Sequence, residues 1–573
     1  MRLSAGPLPR STVPAALLDE AETLTGALAA VAGRHPDFAC LAILDRLGGE
    51  QRVSLGGLWS RARSVQSAMT GHGVRPGDVV LVVLPTGVEL AAGYFGIMLA
   101  GGLPALVATP SNRFADPRLY AERLRTLLAT AGAGVLYAAA DIVADLRPHA
   151  ELLPSGLAVL TPDDAANAPE AGSPVPCQGD DLAALQFSSG STASPKAARL
   201  THRAVLNNFR AIRSGLAITS ADVSVSWAPL YHDMGLMDGF VLPLLSGCGT
   251  VLIPTMDFLR DPSLWLWAVH AYRGTLGWAP NFSYALCAKR VPERELEGLD
   301  LSSWRVAASG AEPVLAPTVA DFAARFARYG FRPEATTPIY GMAETVTIAT
   351  AHPLDVPTRV DVVDRVRLAG EDRAVPTADA GLPCVSVGRP LPGCTVEIRD
   401  RSRRPLAERE VGKIWLRADY LFSGYHQDPA ATAEVLVDGW LDTGDRGYVA
   451  GGELYFVSRE KDLIVVGGEK YAPHDIETII NAVPGVREGC AVVFGVTNTE
   501  RGTEDLAAVV ETKLTDPEAL ATLRDRIRGE VTRQTGLALR WATLVPPGGV
   551  EKTSSGKLAR GATQRRWADR LAG

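Results

Sequence analysis

The chain has 573 residues, of which 47% are hydrophobic and 21% charged, and its formal net charge is −7 at pH 7. This length exceeds what one hydrophobic core usually supports, so we expect at least two domains, and the composition excludes a largely disordered chain. The negative net charge gives no indication of a nucleic-acid partner.

The seven cysteines are scattered along the chain and form no C-x-x-C pair. This pattern argues against both a disulfide framework and a zinc site. The N-terminal segment lacks the apolar core that is typical of a signal peptide. We therefore expect a cytoplasmic protein with reduced thiols.

The first part of the chain alternates strand and helix patterns. Residues 78–84 form an apolar run typical of a buried strand, and Asp116 followed by Pro117 predicts the start of a helix that ends before Gly132. Residues 90–112 carry no charge and are long enough to span a bilayer, but glycines and prolines interrupt them. We favour a buried helix, a turn and a buried strand there over a membrane span.

The pattern changes twice further along the chain. Residues 163–180 are rich in Ala, Pro, Gly and acidic residues and predict a loop between two subdomains. Short strand patterns at residues 395–399, 413–417 and 453–457 predict a small β-subdomain. From about residue 460 strand and helix patterns alternate again. The sequence therefore predicts an α/β fold, and the βαβ rhythm of its first part indicates a parallel sheet.

The segment LQFSSGSTASPK (residues 185–196) begins as an apolar strand pattern and continues with small residues, hydroxyls and a lysine. The backbone N–H groups of such a loop can surround a phosphate, and the hydroxyls and the lysine add further donors. The Walker pattern G-x-x-x-x-G-K-[ST] is absent. A flexible surface turn is the alternative for this segment taken alone.

Two further segments combine a polar side chain with a turn. WAPLYHDMGL (residues 227–236) contains His232, for which a satisfied histidine within a turn is the alternative. IYGMAET (residues 339–345) leads to Glu344, and a carboxylate beside a triphosphate is a natural Mg²⁺ ligand. A glutamate at the start of a helix is the alternative there.

Two segments near the C-terminus complete the set. DGWLDTGDRGYVAGGELYFVSREKD (residues 438–462) places Asp445 in a Gly-flanked turn suited to accept two hydroxyl hydrogen bonds, and Arg459 follows it. The alternative is a hairpin with charged ends. VEKTSSGKLAR (residues 550–560) places Lys557 in a Ser-Gly loop before a basic helix, and a solvated lysine is the alternative.

The order of these five segments resembles the adenylate-forming superfamily of acyl-CoA synthetases, peptide-synthetase adenylation domains and luciferases. The resemblance extends over residues 28–566. It implies a large N-terminal domain (residues 1–459) of two αβ subdomains plus a small β-barrel subdomain. A small mobile α+β domain (residues 460–573) would follow it and swing about a hinge at Lys461. The implied cofactors are ATP and Mg²⁺.

The resemblance also implies a role for individual residues. A carboxylate attacks the α-phosphorus of ATP and pyrophosphate leaves, while Lys557 and Mg²⁺ neutralise the charge that develops on the oxygens. His232 and Glu344 are implied as further catalytic residues, with Glu344 binding the metal. Contacts to the phosphates, adenine and ribose are implied for Ser188, Ser189, Gly190, Ser191, Thr192, Lys196, Gly310, Ala311, Glu312, Tyr340, Gly341, Met342, Asp445 and Arg459.

Within the superfamily, the segments HDMGL, SGAEPV and YAPHDIE resemble the fatty-acyl-AMP ligases. The stretch between Ala351 and Gly388 resembles the characteristic insertion of that branch. In those ligases the insertion is associated with failure to use coenzyme A, and the acyl group passes to the phosphopantetheine thiol of an acyl carrier protein. Since no carrier domain follows Gly573, we expect the carrier protein in trans and a stand-alone loading enzyme for a polyketide, peptide or lipid pathway. The net charge and the interrupted apolar run lead us to expect no nucleic-acid partner and no membrane span.

Four residues are expected at the acyl pocket: Trp278, Asp238, Asn281 and Phe282. Trp278 stands where the family usually has a small residue, so we expect a shortened pocket and a short, medium-length or compact acid. The alternative is a tunnel that bends around the indole. Asp238 stands where glycine is common; it could meet a polar group of the substrate, but we expect it to face water.

Three rival hypotheses remain. An acyl-CoA synthetase would share the fold and the first step, and the insertion argues against it without excluding it. A non-catalytic binding protein of the same fold would have lost Lys557, Glu344 or Asp445, and all three are present. An ATP-hydrolysing P-loop protein would carry the Walker lysine, which is absent.

Overall fold

The computed structural model describes residues 6–9, 13–14, 16–45, 47–110, 116–169, 171–187, 196–379, 381–467, 469–498, 503–553 and 557–571. Helices and strands alternate through most of this part of the chain. Two large sheets, one medium antiparallel sheet and a C-terminal three-stranded sheet hold the architecture.

The described residues form the following strands: β1 (Ala39–Leu44), β2 (Glu50–Ser54), β3 (Val79–Val83), β4 (Leu103–Leu106), β5 (Val135–Ala138), β6 (Ala158–Leu160), β7 (Leu182–Phe187), β8 (Ala197–Thr201), β9 (Val223–Ser226), β10 (Gly249–Leu252), β11 (Leu276–Pro280), β12 (Val306–Gly310), β13 (Thr336–Gly341), β14 (Ile348–Ala351), β15 (Val360–Val363), β16 (Leu382–Val385), β17 (Arg389–Pro390), β18 (Cys394–Arg399), β19 (Gly412–Ala418), β20 (Leu436–Val437), β21 (Trp440–Ala450), β22 (Glu453–Arg459), β23 (Ile464–Val466), β24 (Glu469–Tyr471), β25 (Val486–Asn498), β26 (Thr503–Thr512) and β27 (Leu539–Val545).

The α-helices are α1 (Ala16–Glu20), α2 (Leu24–Arg34), α3 (Leu55–Gly71), α4 (Val88–Leu99), α5 (Pro117–Ala131), α6 (Ala140–Leu146), α7 (Pro162–Ala166), α8 (His202–Gly215), α9 (Leu242–Leu245), α10 (Thr255–Arg260), α11 (Ser263–Tyr272), α12 (Asn281–Arg290), α13 (Ala316–Phe326), α14 (Arg365–Glu371), α15 (Pro429–Val435), α16 (Pro473–Asn481), α17 (Pro517–Thr535) and α18 (Arg560–Leu571). A π-helical turn (Met234–Val241) precedes α9, and short 3₁₀ turns include Ala343–Thr345 and Glu460–Asp462.

The two large sheets carry the αβ subdomains that the sequence predicts. The nine-stranded sheet has the order β17-β14-β13-β12-β11-β9-β10-β1-β2, and the strands from β13 to β1 in that order are parallel. The six-stranded sheet has the order β6-β5-β3-β4-β7-β8, of which only the β7–β8 pair is antiparallel. Parallel strands end at a common edge, where functional groups of open α/β sheets collect.

Burial on both faces explains the apolar run at residues 78–84. Val80 and Val82 point into the largest core, which also contains residues of the nine-stranded sheet. Val79, Leu81 and Val83 point into a separate core with α5 on the other face. A strand covered on both faces has no solvent side, so its sequence does not alternate.

The predicted helix after Asp116 is confirmed as α5. The Asp116 side chain accepts a hydrogen bond from the backbone N–H of Arg118, Pro117 is the first helical residue, and Gly132 follows the end. The uncharged run at residues 90–112 divides into α4, a turn and β4, as expected. Among the described residues, none of the helices combines the length and apolarity that a bilayer crossing requires.

The loop predicted at residues 163–180 is partly wrong. Its first residues belong to α7, where Thr161 and Asp164 form a reciprocal capping box. The segment contains few apolar residues, so its apolar pattern did not predict the helix. The start of this helix is defined by side-chain capping and not by an apolar face. The described residues from 167 to 181 contain no helix or strand.

The small β-subdomain is a five-stranded antiparallel sheet. Strands β18, β19, β21 and β20 lie in that order and β22 pairs with β21. Beyond residue 460, β25, β26 and β27 form a three-stranded sheet. Residues of α16 and α17 pack on this sheet around a core of their own. The α/β architecture with a smaller C-terminal unit therefore agrees with the sequence-based prediction.

The stretch between Ala351 and Gly388 folds as a compact unit. Strands β15 and β16 pair in antiparallel fashion, and α14 lies between them in the chain. Asp372, just after α14, contacts Arg446 of β21 at 2.6 Å and Lys470 of β24 at 2.5 Å. This unit therefore touches both the β-subdomain and the C-terminal unit.

Candidate active site

The C-terminal ends of neighbouring parallel strands bring the first group of predicted residues together. β12 ends at Gly310, and Ala311 follows with a φ of +62°. The carboxylate of Glu312 accepts a hydrogen bond from the backbone N–H of Phe282 at 2.6 Å, which joins the ends of β11 and β12. Burial raises the pKa of Glu312, although this hydrogen bond and two lysines act in the opposite direction.

Close backbone approach requires glycine at the ends of β12 and β13. A Cβ atom at Gly341 would lie 1.7 Å from the carbonyl oxygen of Thr347, and one at Gly310 would lie 2.6 Å from the Ile339 side chain. The chain reverses tightly after Gly341, and Met342 donates its N–H to the Thr345 hydroxyl at 3.2 Å. The turn that carries Glu344 is thereby held in place.

A second group lies between β13 and the β21–β22 hairpin. The Tyr340 hydroxyl donates to Oδ2 of Asp445 at 2.9 Å, and Oδ1 of Asp445 lies 3.4 Å from Nε of Arg459. Asp445 and Arg459 are direct partners in the hairpin register. Burial raises the pKa of Asp445, while Arg459 and the Tyr340 hydroxyl favour its ionised form. This arrangement presents a carboxylate fixed by two neighbours.

Glu344 and Lys196 meet at a residue that the sequence did not single out. Oε1 of Glu344 accepts a hydrogen bond from the Tyr425 hydroxyl at 2.6 Å. Lys196 Nζ lies 4.7 Å from the centroid of the same ring. Lys196 is the described end of the predicted phosphate loop, whereas Ser188, Ser189, Gly190, Ser191 and Thr192 lie outside the described residues.

Lys557 reaches into the large domain from the C-terminal unit. Its Nζ lies 2.7 Å from Nε2 of His232, a residue 325 positions earlier in the chain. Next to it, the Thr553 N–H donates to the Lys557 carbonyl at 2.7 Å. Burial lowers the pKa of Lys557 to about 8, the carboxylates of Asp233 and Glu312 act against this shift, and Arg459 adds to it.

Trp278, Asn281 and Phe282 lie on or just after β11. The Trp278 side chain is completely buried, and its Nε1 donates to the Ser224 hydroxyl at 3.2 Å. Oδ1 of Asn281 accepts from the N–H of Leu315 at 3.1 Å. The Phe282 ring lies edge-on to Trp227, with centroids 5.8 Å apart. These three residues are therefore rigid parts of the strand end.

The expectation that Asp238 faces water is wrong. Asp238 is only 1% exposed, and its Oδ1 lies 2.8 Å from the Thr347 hydroxyl. It belongs to the π-helical turn Met234–Val241, every residue of which is buried. The sequence offered no sign of this burial, because a lone aspartate in an apolar segment ordinarily lies at the surface. Burial raises its pKa well above the ordinary value.

The predicted residues thus fall into neighbouring clusters. One cluster joins Lys557, His232 and Glu312, and Arg459 is close enough to lower the pKa of Lys557. Tyr340 and Asp445 extend this group through Arg459, and Asp445 and Glu344 interact electrostatically. Lys461 is exposed within the 3₁₀ turn Glu460–Asp462. Asp233 and Tyr425 were missed; Asp233 stood within a quoted segment, but nothing in the sequence linked Tyr425 to Glu344.

The residues present fit a shared magnesium ion. Mg²⁺ is usually bound by one or two carboxylates together with substrate phosphates rather than by an all-protein cage. Glu344 would supply one carboxylate, and Tyr425 holds it on the side where Lys196 marks the end of the predicted phosphate loop. Within the described residues no group of three or more metal-ligating side chains occurs.

Comparisons with known proteins identify the family of the chain. The model of the AMP-binding enzyme family matches residues 28–426. A Caulobacter vibrioides protein with the provisional name acyl-CoA synthetase is 34% identical over 85% of this chain and 85% of its own length. The long-chain-fatty-acid–AMP ligase FadD26 of Mycobacterium marinum is 30% identical, covering 91% of this chain and 93% of its own. A solved structure from work on fatty acyl-adenylate ligases of E. coli and L. pneumophila has a TM-score of 0.90 and 31% identity, over 99% of this chain and 100% of its own.

Proposed function

Since the chain belongs to the family of AMP-binding enzymes and is an adenylate-forming ligase of the fatty-acyl-AMP type, we propose that it activates a short, medium-length or compact carboxylic acid and passes the acyl group to a separate acyl carrier protein. The observation that carries this proposal is the contact of Lys557 with His232, at 2.7 Å, beside the Tyr340–Asp445–Arg459 group. It brings a partly buried cation to the place where an acid and a nucleotide would meet.

Each residue has a defined task in the first step. A carboxylate oxygen of the acid attacks the α-phosphorus of ATP, the acyl–adenylate bond forms, and the bond to pyrophosphate breaks. Lys557 would stabilise negative charge on the α-phosphate oxygens as the two anions approach. Asp445 would accept hydrogen bonds from the ribose hydroxyl groups, because Arg459 and Tyr340 already favour its carboxylate form. Glu312 and the turn at Ala311 would border the adenine.

Glu344 and Lys196 would hold the triphosphate end of ATP. Glu344 would hold Mg²⁺, which when bound would supply positive charge next to the pyrophosphate. The Tyr425 hydroxyl fixes the Glu344 carboxylate at 2.6 Å, so the ligand is oriented before any substrate binds. Such fixed groups lower the cost of reorganisation during the reaction.

The proposed size of the acid depends on Trp278. The indole is fully buried and bonded to Ser224, so it is not free to move aside for a long chain. A close-packed interior yields little to a bulky group. This supports a pocket that ends near β11 and an acid that is short or compact.

The proposed acceptor depends on the unit between Ala351 and Gly388. Its Asp372 contacts Lys470, which lies beyond the proposed domain boundary at residue 460 and the proposed hinge at Lys461. A contact of this kind favours one orientation of the C-terminal domain over others.

We place the reaction in the cytoplasm, because all seven cysteines are unpaired, as in a reducing compartment.

An acyl-CoA synthetase is the alternative function, and the name of the Caulobacter relative favours it. Mass spectrometry of the products from ATP, Mg²⁺, a panel of acids and free coenzyme A distinguishes the two. Accumulation of acyl-AMP without acyl-CoA supports the proposed ligase, and the preferred acid reports the pocket. Rapid formation of acyl-CoA would assign the chain to the synthetases instead. Addition of a phosphopantetheinylated carrier protein then tests the transfer.

Lys557→Ala is the decisive variant for the first step. We expect loss of acyl-AMP formation with ATP binding retained, because the lysine acts on charge that develops during the reaction. Pyrophosphate release and ATP binding are measured on the same preparation. Wild-type turnover in this variant would refute the assignment.

A further inference from the structure

We propose that Asp233 is a positioning residue of the adenylation reaction, which acts through His232 to hold the ammonium group of Lys557 in the site. The proposal rests on the proposed function, because it assigns Lys557 to that reaction. Asp233 is not among the residues that the sequence singled out. It adds a third member, and a negative charge, to the Lys557–His232 contact.

The three side chains form a continuous chain of contacts. Lys557 Nζ lies 2.7 Å from Nε2 of His232, and Nδ1 of His232 lies 2.5 Å from Oδ1 of Asp233. The side chains of His232 and Asp233 are only 12% and 16% exposed. Contacts between charged groups gain strength when water is excluded in this way.

The partners determine which ring nitrogen of His232 carries the proton. A lysine ammonium group only donates hydrogen bonds, so Nε2 must accept. The proton of a neutral imidazole then lies on Nδ1, from which it is donated to the Asp233 carboxylate. The backbone N–H of Met234 donates to Oδ1 of Asp233 at 2.7 Å and also points at Nδ1 of His232 from 3.4 Å. The contacts of His232 with Lys557 and Asp233, at 2.7 and 2.5 Å, are much shorter, so they decide the tautomer.

The backbone holds Asp233 where this role requires it. Asp233 is the residue before the π-helical turn Met234–Val241, and its side chain accepts from the first N–H of that turn. The His232 carbonyl accepts from the N–H of Leu236 at 2.8 Å. Since π-helical turns are frequent at functional sites, the fixed pair of His232 and Asp233 accords with a functional position.

The charges around Lys557 make the contribution of Asp233 testable. The groups that face Lys557 are His232, Asp233 and Glu312, with Arg459 as the opposing cation. Burial raises the pKa of Asp233, but His232 and Lys557 together lower it below the ordinary value, so Asp233 is ionised near neutral pH. Without that charge, the pKa of Lys557 would fall further below about 8.

The test compares Asp233→Asn with the wild type over pH 6 to 9.5, with kcat/KM for pyrophosphate release as the readout. The amide oxygen of asparagine can still accept from Nδ1–H and from the Met234 N–H, so the variant removes the charge and retains the shape. We expect the alkaline loss of activity to move down by about one pH unit. A pH profile that coincides with the wild type would overturn the proposal.

Asp141→Asn is the matched control. Oδ1 of Asp141 also accepts from the next backbone N–H, that of Ile142 at 2.9 Å, but Asp141 is exposed at the start of α6. We expect a wild-type profile from this variant. Asp233→Glu, which restores the carboxylate, should return the alkaline limb toward the wild-type position, and failure to do so would count against a role for the charge.

A measurement on the unmodified protein covers the case in which Asp233→Asn does not fold. Nitrogen-15 shifts of labelled histidine distinguish the two neutral tautomers, and His232→Gln identifies the His232 signal among the nine histidines. We expect the tautomer with the proton on Nδ1, and a proton on Nε2 would overturn the proposal. This readout needs no turnover, so it tests the role of Asp233 separately from the proposed function. Failure of the proposed function would be seen instead as the absence of acyl-AMP with every acid tested.

Discussion

Asp238 shows how hydrogen-bond counting determines a charge state at the scale of a single residue. The Thr347 hydroxyl lies 2.8 Å from Oδ1 of Asp238 and 3.1 Å from Oδ1 of Asn208. One hydroxyl proton cannot serve two acceptors. The amide of Asn208 donates to the Ile348 carbonyl at 2.9 Å, which fixes its oxygen toward Thr347. A proton on Asp238 satisfies all three groups.

Asp238→Asn should therefore be tolerated, and its effect should depend on pH. The folded-state pKa of Asp238 is raised by burial, so its contribution to stability is complete below the unfolded pKa, about 4, and is lost as pH rises toward the folded value. Asparagine does not ionise. We expect the unfolding temperature of the variant relative to wild type to increase from pH 5 to pH 8. A difference that stays constant with pH would contradict a neutral Asp238.

Trp278→Gly should lengthen the preferred acid. Removal of a fully buried indole leaves a cavity and costs roughly 3–5 kcal/mol of stability, so folding is checked first by thermal unfolding. A longer acyl chain that fills the cavity should raise the unfolding temperature of the variant more than that of the wild type. Chain-length preference is read from acyl-AMP formation over a series of fatty acids.

Trp304→Leu is the control for that experiment. Trp304 is equally buried, but it lies in the aromatic cluster on the other face of the nine-stranded sheet. We expect lower stability and an unchanged chain-length preference. The pocket assignment would be refuted if Trp278→Gly also retained the wild-type preference, since the tunnel would then bend around the indole.

The position of Lys557 depends on helix α18, which begins three residues later. Arg560 is the first residue of α18. One of its terminal nitrogens donates to Asp462 and the other to Glu477 of α16, each at 2.9 Å. Its Nε donates to the Val493 carbonyl at 3.0 Å. A planar guanidinium satisfies these partners together, whereas an ammonium group does not have that geometry. The first turn of α18 is thereby attached to α16 and β25.

Arg560→Lys should loosen this attachment. We expect a loss of about 1.5–3 kcal/mol in the free energy of unfolding and a lower kcat for adenylate formation, because the start of α18 no longer holds Lys557 in position. Arg566→Lys is the matched control on the same helix; its contact with Glu551 is half-exposed and such pairs contribute little. Equal effects of the two variants would show that the contacts of Arg560 have no special role.

At the scale of the whole molecule, the C-terminal unit is held against the rest of the chain at separated points. Lys557 contacts His232, Lys470 contacts Asp372, and Lys289 of α12 forms an ion pair with Glu488 of β25. The last pair is half-exposed and contributes little. The Asp372–Lys470 contact is more buried and joins the unit between Ala351 and Gly388 to the C-terminal residues.

Lys470→Gln should increase the use of free coenzyme A. The variant removes the link across the proposed domain boundary and leaves the Asp372–Arg446 pair intact. We expect the ratio of acyl-CoA to acyl-AMP to rise, with the rate of adenylate formation little changed, and mass spectrometry measures both. Lys513→Gln, an exposed lysine of the same C-terminal unit, is the control. An unchanged ratio would mean that this contact does not restrict the acceptor.

The sequence by itself determined the α/β class and the strand and helix order around α5, and it supplied the motifs of the proposed nucleotide site. These features follow from local patterns: apolar runs, helix caps and motifs whose members lie within a few residues of one another. The helix α7 was missed because its capping box does not come with an apolar face.

Tertiary structure alone decided which groups touch. Tyr425 meets Glu344 from 81 residues away, and Lys557 meets His232 from 325 residues away. Asp238 was expected in water, but the packing of the π-helical turn buries it beside Thr347. The proton on His232 likewise depends on two partners from different parts of the fold. Burial and charge depend on contacts between distant segments, and a linear pattern of residue types carries no measure of those distances.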